Sequence, residues 1–190
     1  MLNIKEYIEK TTPISDKDWK FFSSKLKNRT FKKKSKILSA GDTEDYISFI
    51  ESGIARFVIP KEDEEKEITF GFCFKNEFIS AYDSFLIRKP SLYEIEALTA
   101  LSIWSISYSD LQDVYKNTVV GNLIGRLSSE RLFLIKSKRE QSLLNETAEQ
   151  RYLNLFTERP NLIKEIPLKY IASYIGVTAQ ALSRIRKRIS

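Results

Sequence analysis

Histidine is absent from the 190 residues and cysteine occurs once. The commonest general base, the usual metal ligand and the proximal haem ligand are therefore all missing. A single thiol, Cys73, allows neither an internal disulfide nor a four-cysteine iron–sulfur cluster, and between Phe72 and Phe74 it reads as a small hydrophobe. There is no nucleophile elbow, no P-loop and no metal-ligand spacing. These gaps exclude the familiar enzymatic chemistries: no catalytic residue, no metal and no haem or iron–sulfur cofactor is expected. Long apolar runs are lacking too. None approaches the roughly 18 to 20 residues that a bilayer span needs, and Met1-Leu2-Asn3-Ile4-Lys5-Glu6 is not a basic-then-apolar signal. The expectation is a cytoplasmic protein with no membrane partner. A hydrophobic content of 42% suffices for the cores of one large or two small domains.

A further absence is local. After Glu165 the chain has no Asp or Glu, while Lys169, Arg184, Arg186, Lys187 and Arg188 are cationic. The net charge of +6 is distributed to match: residues 1–115 hold 17 Lys and Arg against 19 Asp and Glu, and residues 116–190 hold 14 against 6. A polyanionic partner would meet the back half. There, Leu168 to Ser190 carries two short helical patterns that meet at one glycine. Leu168, Ile171, Ala172 and Ile175 recur at helical spacing, and Gly176 is free to take positive φ. Thr178 can cap a second helix whose apolar stripe is Leu182, Ile185 and Ile189. That is the plan of a helix-turn-helix, whose second helix lies in the major groove of double-stranded DNA. A solvated terminal helix with basic residues set against its dipole would carry the same charges. It would not require the preceding helix, the glycine and the cap at this spacing.

The run Ile171-Ala172-x-x-Ile175-Gly176-Val177-Thr178, followed by Leu182-Ser183-Arg184, resembles the helix-turn-helix of the Crp/Fnr superfamily of transcription regulators. The resemblance implies a cyclic-nucleotide-binding-type β-roll, then a long dimerisation helix, then a DNA-reading domain. It implies a homodimer on a palindromic operator, with RNA polymerase as a further partner. It also sets Ala179, Gln180 and Arg184 where base-contacting side chains are expected. On the reading helix, Ala179, Gln180, Ser183 and Arg184 face away from the apolar stripe. Arg184 suits a guanine edge and Gln180 an adenine edge, Ala179 can touch at most a thymine methyl, and Thr178, Lys187 and Arg188 are phosphate candidates.

Upstream, Ile4, Tyr7 and Ile8 space out a first helix that Pro13 interrupts, and Ser15-Asp16-Lys17-Asp18 opens a second with Trp19, Phe22 and Leu26. From Thr30 to about Ile106 the period becomes that of strands: Ile47, Phe49 and Ile50, the turn Ser52-Gly53, Ile54 to Ile59, a charged turn Lys61 to Lys66, then Ile68 to Phe72. Lys32, Lys33, Lys34 and Lys36 read as an exposed turn of strands. Short strands joined by tight turns, without intervening helices, indicate an antiparallel barrel or roll. The expected class is α+β: an antiparallel β-roll with flanking helices, a long helix, and a C-terminal helix-turn-helix with little or no wing.

In family members that bind cyclic AMP, a short helix opened by Gly-Glu and followed by Arg-Ser holds the ribose and the cyclic phosphate. Laying Tyr93-Glu94-Ile95-Glu96-Ala97 on the strand after that cassette puts Ser80-Ala81 and Ser91-Leu92 at those two places. Both polar anchors are missing, and a buried phosphate without a partner is costly. Cyclic AMP is therefore not expected to bind in the usual way, and the effector is left unknown. Tyr82, Arg88, Ser91 and Tyr93 are the candidate pocket residues, with plain core or a solvated loop as the competing reading.

Ser109 to about Glu158 contains no proline and reads as helical. Within it Val120, Leu123, Leu127 and Leu134 follow alternating three- and four-residue steps, with Glu130 occupying one seam position and Leu144 reappearing later. A helix this long cannot bury both faces on one small roll, and pairing with its twin in a second copy is the economical solution. The expected division is a sensor domain over 1–115, a dimerisation helix over 116–145 and a helix-turn-helix domain over 146–190, with Asn161 to Pro167 a short connector. The alternative is a ligand- or protein-binding β-roll that does not bind DNA.

Overall fold

The computed structural model describes residues 2–63 and 66–189. Helices α1 (Leu2–Glu9) and α2 (Asp16–Ser24) come first. The Ser15 hydroxyl accepts the backbone N–H of Asp18 at 3.1 Å, which is why α2 starts there. The strands follow: β1 (Lys27–Phe31), β2 (Lys36–Leu38), β3 (Tyr46–Ser52), β4 (Ala55–Ile59), β5 (Ile68–Cys73) and β6 (Phe78–Ile79). Helix α3 (Tyr82–Ile87) then leads to β7 (Glu94–Ala97) and β8 (Leu101–Ser107). The exposed Lys32, Lys33 and Lys34 form the turn between β1 and β2. Of the charged turn Lys61 to Lys66, Glu64 and Glu65 lie outside the described residues.

The strands form two sheets, β1-β8-β3-β6 and β2-β7-β4-β5, paired antiparallel, with Phe49 opposite Trp104 and Phe57 opposite Ile95. Side chains alternate between the faces of a strand. Ile50, Leu101 and Ile103 of the first sheet therefore join Leu38, Ala55, Cys73, Ile95 and Ala97 of the second in one buried cluster. Phe49 and Ile106, from the other face of the first sheet, pack with Ile4, Ile8 and Phe22 of the N-terminal helices and with Leu111 and Val114. Each such apolar side chain contributes about 1.5–3 kcal/mol when fully buried, so the two N-terminal helices are part of the roll's core.

The helical stretch expected from Ser109 to about Glu158 is three helices, of which α4 (Tyr108–Asn117) and α5 (Gly121–Asn145) come first. Thr118 turns to extended backbone. Its hydroxyl accepts the Gly121 N–H at 3.0 Å, and the Asp18 carboxylate accepts the Val119 N–H at 3.0 Å. A side-chain cap restarts the helix without any proline. Four helices follow: α6 (Ala148–Glu158), α7 (Pro160–Glu165), α8 (Leu168–Tyr174) and α9 (Ala179–Ile189). The connector expected over Asn161 to Pro167 is largely α7, begun by Pro160, whose missing N–H is not needed in a first turn.

Two compact units divide the chain, residues 1–60 with 71–129, and residues 61–70 with 130–190. Among the described residues no helix is long and apolar enough to cross a membrane, and no group of acidic or cysteine side chains could hold a metal ion.

Candidate functional site

In the second unit, α8 and α9 meet at Gly176, whose φ of +79° a residue with a side chain adopts only under strain. A Cβ there would come no nearer than 3.7 Å to any atom, so the backbone angle alone demands glycine. The Gly176 N–H donates to Ser173 O at 3.0 Å and the Val177 N–H to Ala172 O at 2.9 Å, closing the end of α8. The Thr178 hydroxyl accepts the Ala181 N–H at 3.2 Å and opens α9. Ile171, Ala172, Ile175, Leu182 and Ile185 are buried, as are Tyr152 and Leu155 of α6, Leu162 of α7 and Ile166 just after it. The apolar stripes are shorter than expected: Leu168 is 43% exposed and Ile189 37%, since each lies at the open end of its helix.

With Leu182 and Ile185 inward, Thr178, Ala179, Gln180, Ser183, Arg184, Lys187 and Arg188 are all exposed. Arg188 donates to the Glu149 carboxylate at 2.8 Å. Two arginines that charge patterns do not single out hold the corner from behind. The Arg151 Nε donates to Ile175 O at 2.8 Å, and Arg151 also donates to Glu146 O. The Arg139 guanidinium donates to Tyr174 O at 2.8 Å, with its carbon 4.0 Å from the Tyr174 ring centroid. Burial holds Arg139 below its ordinary pKa, a cost that the ring and the carbonyl offset. These groups satisfy carbonyls that the end of α8 would otherwise leave bare. The Ser173 hydroxyl further accepts the Thr69 N–H at 2.9 Å, tying the end of the 61–70 segment to α8.

In the first unit, the expected effector residues go to different partners. The Tyr82 hydroxyl bonds Ser129 on α5 at 2.9 Å. Arg88, at φ +55°, donates to Glu44 O at 2.6 Å and to the Asp45 carboxylate, and its guanidinium lies 4.5 Å from the Tyr108 ring centroid. The Ser91 hydroxyl donates to Tyr93 O at 2.8 Å, and the Tyr93 hydroxyl donates to Asp83 at 2.5 Å. Burial and the Asp83 carboxylate push the Tyr93 phenol far above its ordinary pKa. Tyr93 and Phe57 meet edge-on at 6.1 Å against the cluster between the sheets.

Glu44 is the residue that sequence reasoning missed here. Its carboxylate is buried and accepts the N–H of Tyr46 at 2.9 Å and of Ala81 at 3.2 Å, at the start of α3. Burial raises its pKa against the pull of those two amides. The chain thus supplies its own anion to the amide of Ala81, one of the two positions aligned with the absent Gly-Glu. An acid in a turn before a strand gives no sequence signal of this role.

Of the expected dimer residues, Val120 packs, with Ile124, against the cluster around Phe85 and Val114. Leu123 and Leu127 are half-buried, and Leu134 is 66% exposed. Phe133, Ile135 and Leu144 are also exposed, at 70%, 55% and 78%.

Residues 28–118 match the family model of the cyclic nucleotide-binding domain. The fold is that of solved regulators. FixK2 from Bradyrhizobium japonicum superposes with a TM-score of 0.70 at 15% identity, over 86% of this chain and 84% of its own. The c-di-GMP-responsive global regulator CLP of Xanthomonas campestris gives 0.69 at 17% identity, over 92% and 91%. A variant of CooA from Carboxydothermus hydrogenoformans gives 0.68 at 14% identity, over 87% and 77%. No curated protein sequence matches the chain.

Proposed function

We propose that this chain is a transcription regulator of the Crp/Fnr type that reads double-stranded DNA as a homodimer through α9, with a sensor domain that does not take cyclic AMP in the usual way. The observation that carries the reading is the corner at Gly176. It buries Leu182 and Ile185 and leaves Gln180, Ser183, Arg184 and Lys187 on one exposed helix in a stretch without acids. The likeness of fold to FixK2 and CLP supports it. Arg184 reads a guanine and Gln180 an adenine, each good bidentate pair giving about 1–3 kcal/mol of discrimination. Lys187, Arg188 and Thr178 hold phosphates, and Arg188 exchanges Glu149 for DNA. Two such helices in a twofold dimer lie about 34 Å apart, so the operator is a palindrome with half-sites about one helical turn apart.

The sensor reading rests on the two missing anchors, on Phe57 and Tyr93 beside the inter-sheet cluster and on the Glu44 carboxylate at Ala81. A cyclic phosphate brought there would meet a carboxylate of its own sign.

Gel shifts on a site selected from random DNA, run at two salt concentrations, test the DNA reading. Arg184→Ala abolishes the preference for the selected site, whereas Lys187→Ala lowers affinity on selected and random DNA alike and flattens the salt dependence. Equal losses on both DNAs for both variants would refute the assignment. A duplex affinity that does not respond to salt would favour the β-roll module that reads no DNA.

A further inference from the structure

A cleft of about 230 Å³ opens in the first unit between α3, α4 and the start of α5, distinct from the cluster between the sheets. Its apolar wall is the half-buried ring of Tyr82, which is itself stacked on the fully buried Phe85 with ring planes 16° apart. Tyr115 is seated close against the α5 backbone, because a Cβ on Gly125 would lie 2.7 Å from the Tyr115 hydroxyl. Glycine inside a helix is destabilising relative to alanine, and that close approach is what Gly125 permits.

The polar groups around the cleft are not all spent on the protein. Tyr82 is engaged by Ser129, and the Asn122 amide nitrogen donates to Tyr115 O at 3.1 Å, leaving its side-chain oxygen. The Gln112 carboxamide and the Tyr115 hydroxyl bond no other group among the described residues. Burial pushes the Tyr115 phenol up to about 12, so it stays a proton donor at neutral pH. A carboxamide offers a donor and an acceptor side by side, the pattern that matches the edge of a heteroaromatic ring. The Tyr82 ring beside it offers stacking. The volume is below the 300–1,000 Å³ typical of sites for drug-sized ligands, which limits the occupant to one or two fused rings.

We propose that this cleft binds a planar heteroaromatic molecule of nucleobase size, stacked on Tyr82 and read by Gln112, with Tyr115 donating to it. The site needs no phosphate anchor and is separate from the cassette over residues 80–92, apart from the wall that α3 supplies.

Calorimetric titration of the full chain with adenine as the free base, and in parallel with benzoate, tests the site. Adenine binds with one site per chain. Gln112→Ala weakens it about tenfold and Tyr115→Phe several-fold, the loss expected for one hydrogen bond each. Leu92→Ala, at an exposed residue outside the cleft, leaves binding unchanged. Circular dichroism of each variant confirms that it is folded. No heat up to the solubility limit of adenine would overturn the proposal. So would an affinity that Gln112→Ala leaves intact, which puts the base elsewhere, or tighter binding of benzoate, which assigns the cleft to an anion. The titration contains no DNA, so its failure leaves the DNA-reading proposal standing, and failure of that proposal leaves the cleft untouched.

Discussion

Several polar side chains in this chain act by closing backbone ends, and Ser107 with Asp110 is a case that pH can expose. The Ser107 hydroxyl accepts the Asp110 N–H at 3.2 Å and donates to the Asp110 carboxylate at 2.7 Å, capping α4. Lys25, at the end of α2, reaches Asp110 at 3.2 Å and Asp113 at 3.1 Å. The serine hydroxyl above all, helped by Lys25, holds the Asp110 carboxyl below the usual carboxylate range against the opposing effect of its own burial. A depressed folded pKa means that the unfolded chain binds the proton more readily. The stabilisation is therefore present above the ordinary aspartate range and lost as pH falls through the lowered value. Asp110→Asn should lower the urea midpoint at pH 7, and the gap to the parent should close as the pH is brought below about 4. A gap that persists unchanged at acid pH would show that the carboxylate's charge has no part in the cap.

At the scale of elements, the corner between α8 and α9 depends on donors from other helices. Arg151 supplies bonds to Ile175 O and Glu146 O, and hydrogen bonds to charged groups contribute about 1.5–3 kcal/mol each. Arg151→Ala should cost about 2 kcal/mol, measured by chemical denaturation, because it leaves the end of α8 unsatisfied. Arg184→Ala, at an exposed position, should cost almost nothing by the same measurement while removing DNA preference. That contrast would separate a residue that builds the corner from one proposed to read DNA. It also marks what the sequence could reveal. The helices on both sides of Gly176 were legible because apolar spacing, a glycine and a capping threonine agree locally. The strands were legible from their period and turns. The break at Thr118 was not, because its cap draws on Asp18, a hundred residues away in the chain. Glu44, Arg139 and Arg151 were illegible for the same reason, since a charged side chain reads as surface until the fold shows which backbone groups it must satisfy.

At the scale of the whole molecule, the distribution of apolar surface is the feature that a single chain does not explain. Leu132 to Ile135 put apolar side chains on successive positions around α5, and Phe133, Leu134, Ile135 and Leu144 remain exposed. Exposed apolar side chains grouped on one helix are costly in a monomer and are the usual mark of an interface. Val120 serves the chain's own core instead. The proposed seam therefore centres on the later part of that heptad spacing, around Leu134 and Leu144. In the proposed dimer a twofold axis beside those residues would set one copy of α5 against the other, as knobs-into-holes packing favours. The double variant Leu134→Glu, Leu144→Glu places four like charges in that contact and should shift the protein from dimer to monomer in analytical ultracentrifugation at micromolar concentration. Each monomer keeps its own α9, so binding to an isolated half-site should persist weakly while the added affinity for the full palindrome is lost, since the second contact is no longer intramolecular. A variant that sediments as the parent does would move the interface off this face of α5. A parent that is monomeric at the concentrations where it binds DNA would remove the twofold reading of the operator itself.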